Sequence, residues 1–251
     1  MIALSRAIRA ELLKIKRTLA LGLAFITPLA IVGLMFVATV LSQGNADPNV
    51  NAWGEFAQVI FLFWSLLMLP LFITLETALL SELESSEKHW KHLFALPIPR
   101  SALYMAKLLV GAGLIALSTL VLWGGLLLAG YSLRWLKPGT GFEFSIPWLE
   151  TLQTAFLIYL AAWLIMAFHT WISLRWRSFT LSVGVGMIAT VIGVFITVGA
   201  EQWARFYPWM LPSMAMGSDA QIVLQVLLFG ILGGIIAAIA GCWDMIRQDV
   251  L

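Results

Sequence analysis

The side chains able to bind a metal or transfer a proton are concentrated in one charged stretch, residues 76–107, which lies between two apolar runs. Within it, His89 and His92 stand at i,i+3, and Glu84 or Glu87 would join them around one ion if all faced the same side of a helix. Two histidines on a charged surface helix are more commonly solvated. We therefore predict no metal site here.

Sequence patterns for enzyme chemistry are missing from the rest of the chain. There is no HExxH, no G-x-S-x-G and no pair of intramembrane aspartates. The single cysteine, Cys242, ends the last apolar run without a nearby histidine, which argues against an intramembrane hydrolase and against an intrachain disulfide. No G-x-x-x-x-G-K-[ST] loop occurs, so any ATP must be bound by another polypeptide. We expect no enzyme activity and no cofactor in this chain.

Composition indicates an all-α polytopic membrane protein. Hydrophobic residues make up 61% of the 251 and charged residues 11%, whereas a soluble domain carries about 25% charged residues. The net charge of +2 is too small to indicate a nucleic-acid partner. We treat residues 1–251 as one transmembrane domain in contact with membrane lipids.

Six apolar runs are each long enough to cross a hydrocarbon core of ~30 Å. They lie near residues 19–41, 56–80, 102–130, 149–172, 179–200 and 222–243. The two tails and two connections that would face the same side as the termini hold twelve Lys and Arg residues, whereas the three opposite connections hold only Arg134, Lys137 and Arg205. The positive-inside rule therefore places both termini in the cytoplasm.

Residues 1–17 predict a basic interfacial helix. Its apolar stripe is formed by Leu4, Ile8, Leu12 and Ile15. A cleavable signal peptide is the competing interpretation, but the following apolar run of about 23 residues exceeds the roughly 7–15 residues of a signal core. The run therefore remains as the first span.

The cytoplasmic segment 81–100 predicts a second amphipathic helix. Leu79, Leu83, Trp90 and Phe94 share one face, and Glu84, Lys88, Lys91 and His92 the other. Glu84 to Lys88 and Glu87 to Lys91 are i,i+4 pairs that stabilise such a helix by roughly 0.2–0.5 kcal/mol each. Pro97 and Pro99 then end it, because neither can donate a backbone hydrogen bond.

Glu76 is the only acid clearly inside an apolar run. A carboxylate that faces water or pairs with arginine near the interface is the favoured interpretation, and a coupling role is the alternative. In the last run Gly230, Gly234 and Gly241 form a small-residue stripe that predicts close helix packing, with another span or with a second copy.

The outer segment 201–220 is rich in aromatic residues and methionine. We interpret Trp203, Tyr207 and Trp209 first as interfacial anchors, with the alternative that they form a rim facing a ligand. Trp53, Trp135 and Trp148 are likewise expected in the outer aromatic belt. Because the spans offer almost no buried charge to a hydrated ion or sugar, we expect an amphiphilic substrate.

This arrangement resembles the permease subunits of type-2 ABC exporters, especially the bacitracin and lantibiotic immunity permeases. The residues that carry the resemblance are Glu82, Glu84, Trp90, Lys91, Leu96, Pro97, Arg100 and Lys107. The resemblance implies that they belong to a coupling helix seated in a groove of a cytosolic ABC ATPase, which would bind ATP and Mg²⁺. It also implies a second permease chain, identical or related, in a bacterial inner membrane.

The sequence thus predicts the transmembrane subunit of an ATP-driven exporter that moves an amphiphile or a peptide such as a bacteriocin or antibiotic. The alternative is a membrane sensor or scaffold that docks a cytosolic partner without transport.

Overall fold

The computed structural model describes residues 2–16, 18–42, 51–85, 99–176, 178–199 and 201–247. Within these ranges every regular element is helical, and six helical stretches are long and apolar enough to cross a membrane. Spans 1 to 6 are Leu19–Leu41, Ala52–Glu82, Arg100–Leu136, Trp148–Trp176, Phe179–Thr197 and Ala220–Arg247. The predicted six-span, all-α architecture is confirmed.

Shorter helices flank the spans. The N-terminal helix is Ile2–Ile15, and the segment after span 5 contains Glu201–Ala204, a 3-10 turn at Pro208–Met210, and Leu211–Met214. The helix of span 5 runs to Gly199, and the last helix of span 2 runs to Ser85. Span 3 has 37 residues, which at 1.5 Å per residue is about 55 Å and exceeds the hydrocarbon core.

Contacts between the helices define two ends of the bundle. At one end, called here the termini face, the N-terminal helix meets the end of span 2 and the start of span 3 through Glu11, Leu80 and Lys107. At the other end, the opposite face, Ala52 donates a backbone hydrogen bond to the carbonyl of Gly141 in the loop after span 3. The described ends of the charged segment, Ser85 and Pro99, therefore lie towards the termini face.

Proline shapes two of the spans. Span 2 comprises the helices Ala52–Phe63 and Leu69–Ser85 with a π-helical turn, Trp64–Met68, between them. The amide of Leu69 bonds to the carbonyl of Trp64 five residues back, just before Pro70, which has no amide hydrogen to donate. In span 1, Pro28 likewise leaves the carbonyl of Ala24 without its helical donor.

The free carbonyl in span 1 is satisfied from another span. Ser118 Oγ in span 3 donates to the carbonyl oxygen of Ala24 at 3.0 Å, and both groups are buried. A backbone carbonyl in lipid must find a donor within the protein. The proline in span 1 and the serine in span 3 therefore form one structural unit.

Small residues let span 6 approach its neighbours closely. A Cβ atom at Gly230 would lie 2.8 Å from the carbonyl oxygen of Ala161, and one at Gly234 would lie 2.9 Å from the carbonyl carbon of Trp163. At Gly241 the added atom would collide with the hydroxyl of Tyr104. The stripe thus packs against spans 4 and 3 of the same chain, the first of the two partners considered above.

Two tryptophans expected in the outer belt lie inside the bundle. Trp53 is fully buried, its Nε1 donates to the carbonyl of Phe142 at 3.1 Å, and its ring fills the space where Gly130 lacks a side chain. Trp209 is also buried. Trp135 and Trp148 are exposed. The anchor interpretation is therefore wrong for Trp53 and Trp209, because the indole of each packs within the protein.

The segment 201–220 enters the bundle after its first helix. Trp203 and Phe206 are exposed, but the hydroxyl of Tyr207 donates to the carbonyl of Ala189, at the middle of the span 5 helix, at 2.8 Å. The ring of Trp209 lies 5.5 Å from that of His169 in span 4. Among the aromatic residues of this segment, Trp203 and Phe206 thus have the exposure expected of interfacial anchors.

The N-terminal helix packs with a face that coincides only partly with the predicted stripe, since Ile15 is buried and Ile8 packs against the core. Its buried stripe is Ala7, Glu11 and Ile15, and it contacts span 3, whereas Leu12 is 50% exposed. The buried face therefore shares Ile15 with the expected apolar stripe but extends to Ala7 and Glu11, so it includes an acid. That acid has a specific partner.

Candidate coupling site

Much of the predicted coupling segment lies outside the described residues. This holds for Glu87, Trp90, Lys91, Leu96 and Pro97, as it does for His89 and His92. Glu84 is described only as part of the helix that continues span 2 to Ser85. The residues whose side chains are described are Glu82, Arg100 and Lys107, and they stand at the two ends of the segment.

Arg100 and Lys107 serve different contacts. The guanidinium of Arg100 lies at the termini face and donates to the carbonyl of Ile246 near the end of span 6, at 3.4 Å. Lys107 is 2% exposed. Its ammonium lies inside the protein in this conformation, away from any surface that a partner could contact, although the resemblance groups it with residues that face the ATPase.

The ammonium of Lys107 joins three helices. Its Nζ lies 3.1 Å from Oε2 of Glu11 in the N-terminal helix and donates to the carbonyl of Leu80 in span 2 at 2.9 Å. Glu11 is 1% exposed, and its other oxygen accepts from Lys14 at 2.6 Å. We call Glu11, Lys107 and the Leu80 carbonyl the three-helix clamp.

The charges within the clamp stabilise each other. Burial by itself would raise the pKa of Glu11, but the ammonium groups of Lys107 and Lys14 hold that pKa below its ordinary value. The carboxylate is therefore ionised at neutral pH. A buried ion pair of this kind depends on both partners, because removing one leaves an uncompensated charge in a medium of low dielectric constant.

Sequence reasoning did not identify Glu11. The available signal was an acid in an otherwise basic helix, four residues from both Ala7 and Ile15 and thus on one face with them. Lys107 was identified only through the resemblance. Their contact joins residues that are 96 positions apart, which no local pattern can encode.

Further polar contacts tie the helices together around the clamp. Ser81 Oγ donates to the carbonyl of Ser173 at 2.7 Å and so connects spans 2 and 4. A cavity of about 10 Å³ beside Lys107 is lined by Thr77, Ser81 and Thr170, and it has room for about one water molecule. At the same face Asp244 in span 6 accepts from Trp171 Nε1 and pairs with Arg175 at 3.4 Å.

Glu76 lies deeper and is fully buried. Neither of its carboxylate oxygens has a hydrogen-bond partner among the residues that the structure describes. The favoured interpretation, a water-facing or arginine-paired carboxylate, is thus wrong for the described part of the chain, because the helix turns Glu76 into the bundle. A coupling role for Glu76 stays a prediction. Nearby in sequence, Thr74 Oγ1 contacts Nε2 of His169 at 3.3 Å.

The three aromatic residues considered for a substrate rim do not share one exposed surface. Trp203 is 60% exposed, Tyr207 is half-buried and hydrogen-bonded to span 5, and Trp209 is buried. The rings of Tyr207 and Trp209 are tilted at 34° to each other, with their centroids 5.6 Å apart. Of the three, Trp203 is therefore the residue best placed to meet a ligand from the surrounding membrane.

A larger cavity opens at the opposite face, and the sequence did not indicate it. Its volume is about 380 Å³, and its walls include Met35, Phe56, Val59, Lys137 and Phe142. Lys137 Nζ donates hydrogen bonds to the carbonyls of Thr39 and Ser42 at the end of span 1. The cavity is mostly apolar, as small-molecule sites are. Residues 43–50, which follow Ser42 in the sequence, lie outside the described residues.

The described ranges contain no group of three or more His, Cys, Asp or Glu residues arranged to hold a metal ion. The histidines of the charged segment lie outside these ranges. The prediction that they form no metal site therefore stays a prediction.

The fold and this site define a class of protein: a helical membrane protein whose charged segment emerges between two spans that are cross-linked just behind its ends. A family model described as "ABC-2 family transporter protein" matches residues 7–193, which is more than half of the chain. The chain belongs to this family and is a transmembrane subunit of an ABC transporter, which implies association with an ABC ATPase subunit. Comparison with curated proteins and with solved structures produced no match.

Proposed function

We propose that this permease is the transmembrane part of an exporter for amphiphilic molecules, with membrane-active peptides such as bacteriocins or peptide antibiotics as the leading class. Two permease chains, identical or related, assemble with two ATPase chains in a bacterial inner membrane, and both termini lie in the cytoplasm. ATP and Mg²⁺ bind in the ATPase chains. The observation that carries the coupling to an ATPase is the connection of spans 2 and 3 by Lys107 behind the charged segment.

The coupling proposal rests on stiffness. A segment attached to loosely held helix ends would absorb a push from the ATPase, whereas ends that are cross-linked would tilt together. Leu80 and Lys107 are joined at 2.9 Å, and Ser81 is hydrogen-bonded to span 4. We propose that nucleotide-driven movement of the ATPase becomes movement of these spans.

The substrate proposal rests on the apolar character of the bundle. Among the described residues of the spans, the buried acids and bases are Glu76, Lys107 and His169, which are too few to line a charged path across the bundle. An amphiphile that partitions into lipid needs no such path. The exposed Trp203 and Phe206 and the apolar cavity beside Phe56 suit a ligand of this kind.

The test is survival of a sensitive bacterial host that produces the permease with its ATPase, challenged with a panel of membrane-active peptides. We expect protection against at least one peptide, and a reduction of that protection by Trp203→Ala. The matched control is Trp135→Ala, which removes another exposed tryptophan. Because Trp209 is a core residue, its replacement would report on folding and is not used.

Two results would contradict the proposal. Protection against none of the peptides, with normal production of both proteins, would argue against this substrate class. ATPase binding without ATP-dependent transport of any amphiphile would favour the membrane sensor or scaffold instead.

A further inference from the structure

The cavity at the opposite face lies between span 1, span 2 and the loop after span 3. Met35 and Ala38 line it from span 1, Phe56 and Val59 from span 2, and Phe142 from the loop. Its volume is about 380 Å³, whereas an apolar cavity of roughly 150 Å³ already binds benzene. The space is therefore large enough for part of an organic molecule.

Contacts of the loop hold the walls of this cavity in place. The backbone amide of Ala52 donates to the carbonyl of Gly141 at 3.3 Å, and Trp53 Nε1 donates to the carbonyl of Phe142 at 3.1 Å. The ring of Phe142 lies edge-on to the ring of Phe56, with centroids 5.7 Å apart. The walls are thus positioned before a ligand arrives, which reduces the free energy that binding spends on ordering them.

The described wall contains two charged residues, Lys137 and Glu55, and they differ in their hydrogen bonding. Lys137 Nζ already donates to the backbone carbonyls of Thr39, at 2.9 Å, and Ser42. The Glu55 side chain is exposed, and no described residue forms a hydrogen bond or ion pair with its carboxylate. The polar group that this wall leaves available to a ligand is therefore an acid.

We propose that this cavity binds the substrate as a cationic amphiphile, whose apolar part fills the space between spans 1 and 2 and whose ammonium or guanidinium group pairs with Glu55. The inference rests on the proposed function and narrows its substrates from amphiphiles in general to those that carry positive charge. An anionic head group would stand beside the Glu55 carboxylate, where like charges repel. Glu55 thus determines the charge selectivity of the site.

The experiment measures photolabelling of the full-length permease in nanodiscs of phosphatidylcholine, a lipid without net charge. Three probes share one photoreactive alkyl chain and differ in the head group, which is an ammonium, an alcohol or a sulfonate. They are compared at equal content in the bilayer, and mass spectrometry locates the labelled residues. We expect the ammonium probe to label Met35, Phe56 and Val59 more strongly than the sulfonate probe does.

Two pairs of variants test the site. Glu55→Gln should lower labelling by the ammonium probe roughly two- to fivefold, the effect of an exposed ion pair, and leave labelling by the alcohol probe unchanged. Its matched control is Glu150→Gln, which removes another exposed acid at the opposite face, outside the cavity wall. Ala38→Trp should reduce labelling by both probes because the indole occupies the cavity. Val37→Trp, at the exposed neighbouring position outside the wall, should not.

Equal labelling by the three probes, unchanged in Glu55→Gln, would overturn the inference and identify the cavity as a groove for lipid tails. Labelling that Ala38→Trp leaves intact would also overturn it. Because labelling requires no ATPase, the proposed function is judged separately. Charge-selective labelling of a permease that protects no host would support the binding site and contradict export, whereas protection without such labelling would support export and overturn the binding site.

Discussion

Glu11 and Lys107 are ordinary charged residues whose burial gives them their importance. Glu11 lies on a helix whose other charges are basic. Its carboxylate forms ion pairs with the ammonium groups of Lys107 and Lys14. The clamp therefore depends on pH through the ionisation of one acid. That dependence can be measured without knowing the substrate.

We predict that acid weakens the clamp. The folded-state pKa of Glu11 is lowered from its ordinary value of 4.5, so its contribution to stability is fully present above that value and is lost as the pH falls through the folded-state pKa. The gap in thermal stability between wild type and Glu11→Gln should thus be constant near neutral pH and narrow below pH 4.5. Thermal unfolding in detergent between neutral and acidic pH measures this gap.

The control for this prediction is Glu11→Gln combined with Lys107→Met, compared with Lys107→Met alone. Without the Lys107 ammonium, the acid-dependent part of the gap should shrink. A gap between wild type and Glu11→Gln that stays unchanged down to the lowest pH would show that the ionised form of Glu11 adds no stability.

Among the helices, spans 1 and 3 illustrate how a side chain of one helix supplies a hydrogen bond that the backbone of another lacks. Pro28 removes the donor for the carbonyl of Ala24, and Ser118 supplies a replacement. Span 6 illustrates the reverse case, in which the absence of side chains at Gly230 and Gly234 allows another backbone to approach. Both features yield predictions about pairs of elements.

We predict that Ser118→Ala lowers the free energy of unfolding by about 1–3 kcal/mol, because a buried carbonyl loses its donor. Pro28→Ala restores the amide that normally bonds to residue 24, so the loss should be smaller in that background. Ser132→Ala is the control, because the Ser132 hydroxyl is exposed and bonds within its own helix. Equal losses with and without Pro28 would mean that the Ser118 hydroxyl does not compensate for the proline.

We predict that Gly234→Ala destabilises the contact between spans 4 and 6 by about 1–3 kcal/mol, the range for overpacking. Its added carbon would meet backbone atoms of Trp163, which cannot move aside cheaply. The adjacent Gly233→Ala is a close control, because there the nearest atoms belong to the flexible Leu164 side chain. Thermal stability in detergent should distinguish the two, and similar values would argue against close backbone packing at Gly234.

At the scale of the whole molecule, the two ends of the bundle differ in their polar contacts and cavities. The termini face holds the clamp and the ion pair of Asp244 with Arg175. The opposite face holds the loop after span 3 and the cavity beside Phe56. We interpret the first as the end that receives force and the second as an end that is open to a ligand.

We predict that Glu84→Lys with Glu87→Lys prevents co-purification of the ATPase, because it reverses the charge of the segment that the ATPase would contact. Glu55→Lys with Glu150→Lys makes the same change in charge with two exposed acids outside that segment, and it should leave the complex intact. Pull-down of the ATPase in detergent is the measurement. Retention of the ATPase with full ATP-dependent activity in the first variant would contradict the assignment of the coupling segment.

The sequence by itself determined the class of protein, the number of spans and the place of the charged segment. These properties follow from composition and from runs of about 20 apolar residues. Both are local features that do not depend on how the helices pack against each other. The absence of a nucleotide-binding loop was likewise a local property, and it predicted that ATP binds elsewhere. The spacing of Gly230 and Gly234 predicted close helix packing, but it could not predict that the helix they contact is span 4.

Only the tertiary structure decided which polar residues face inward. Glu76, Trp53 and Trp209 have the amphipathic or polar character of interfacial residues, yet each is buried because its helix or segment is turned towards the bundle. Glu11 finds Lys107 across 96 positions of sequence. A contact of that range depends on how whole helices pack, and the cost of burying an unpaired charge then makes the two residues depend on each other.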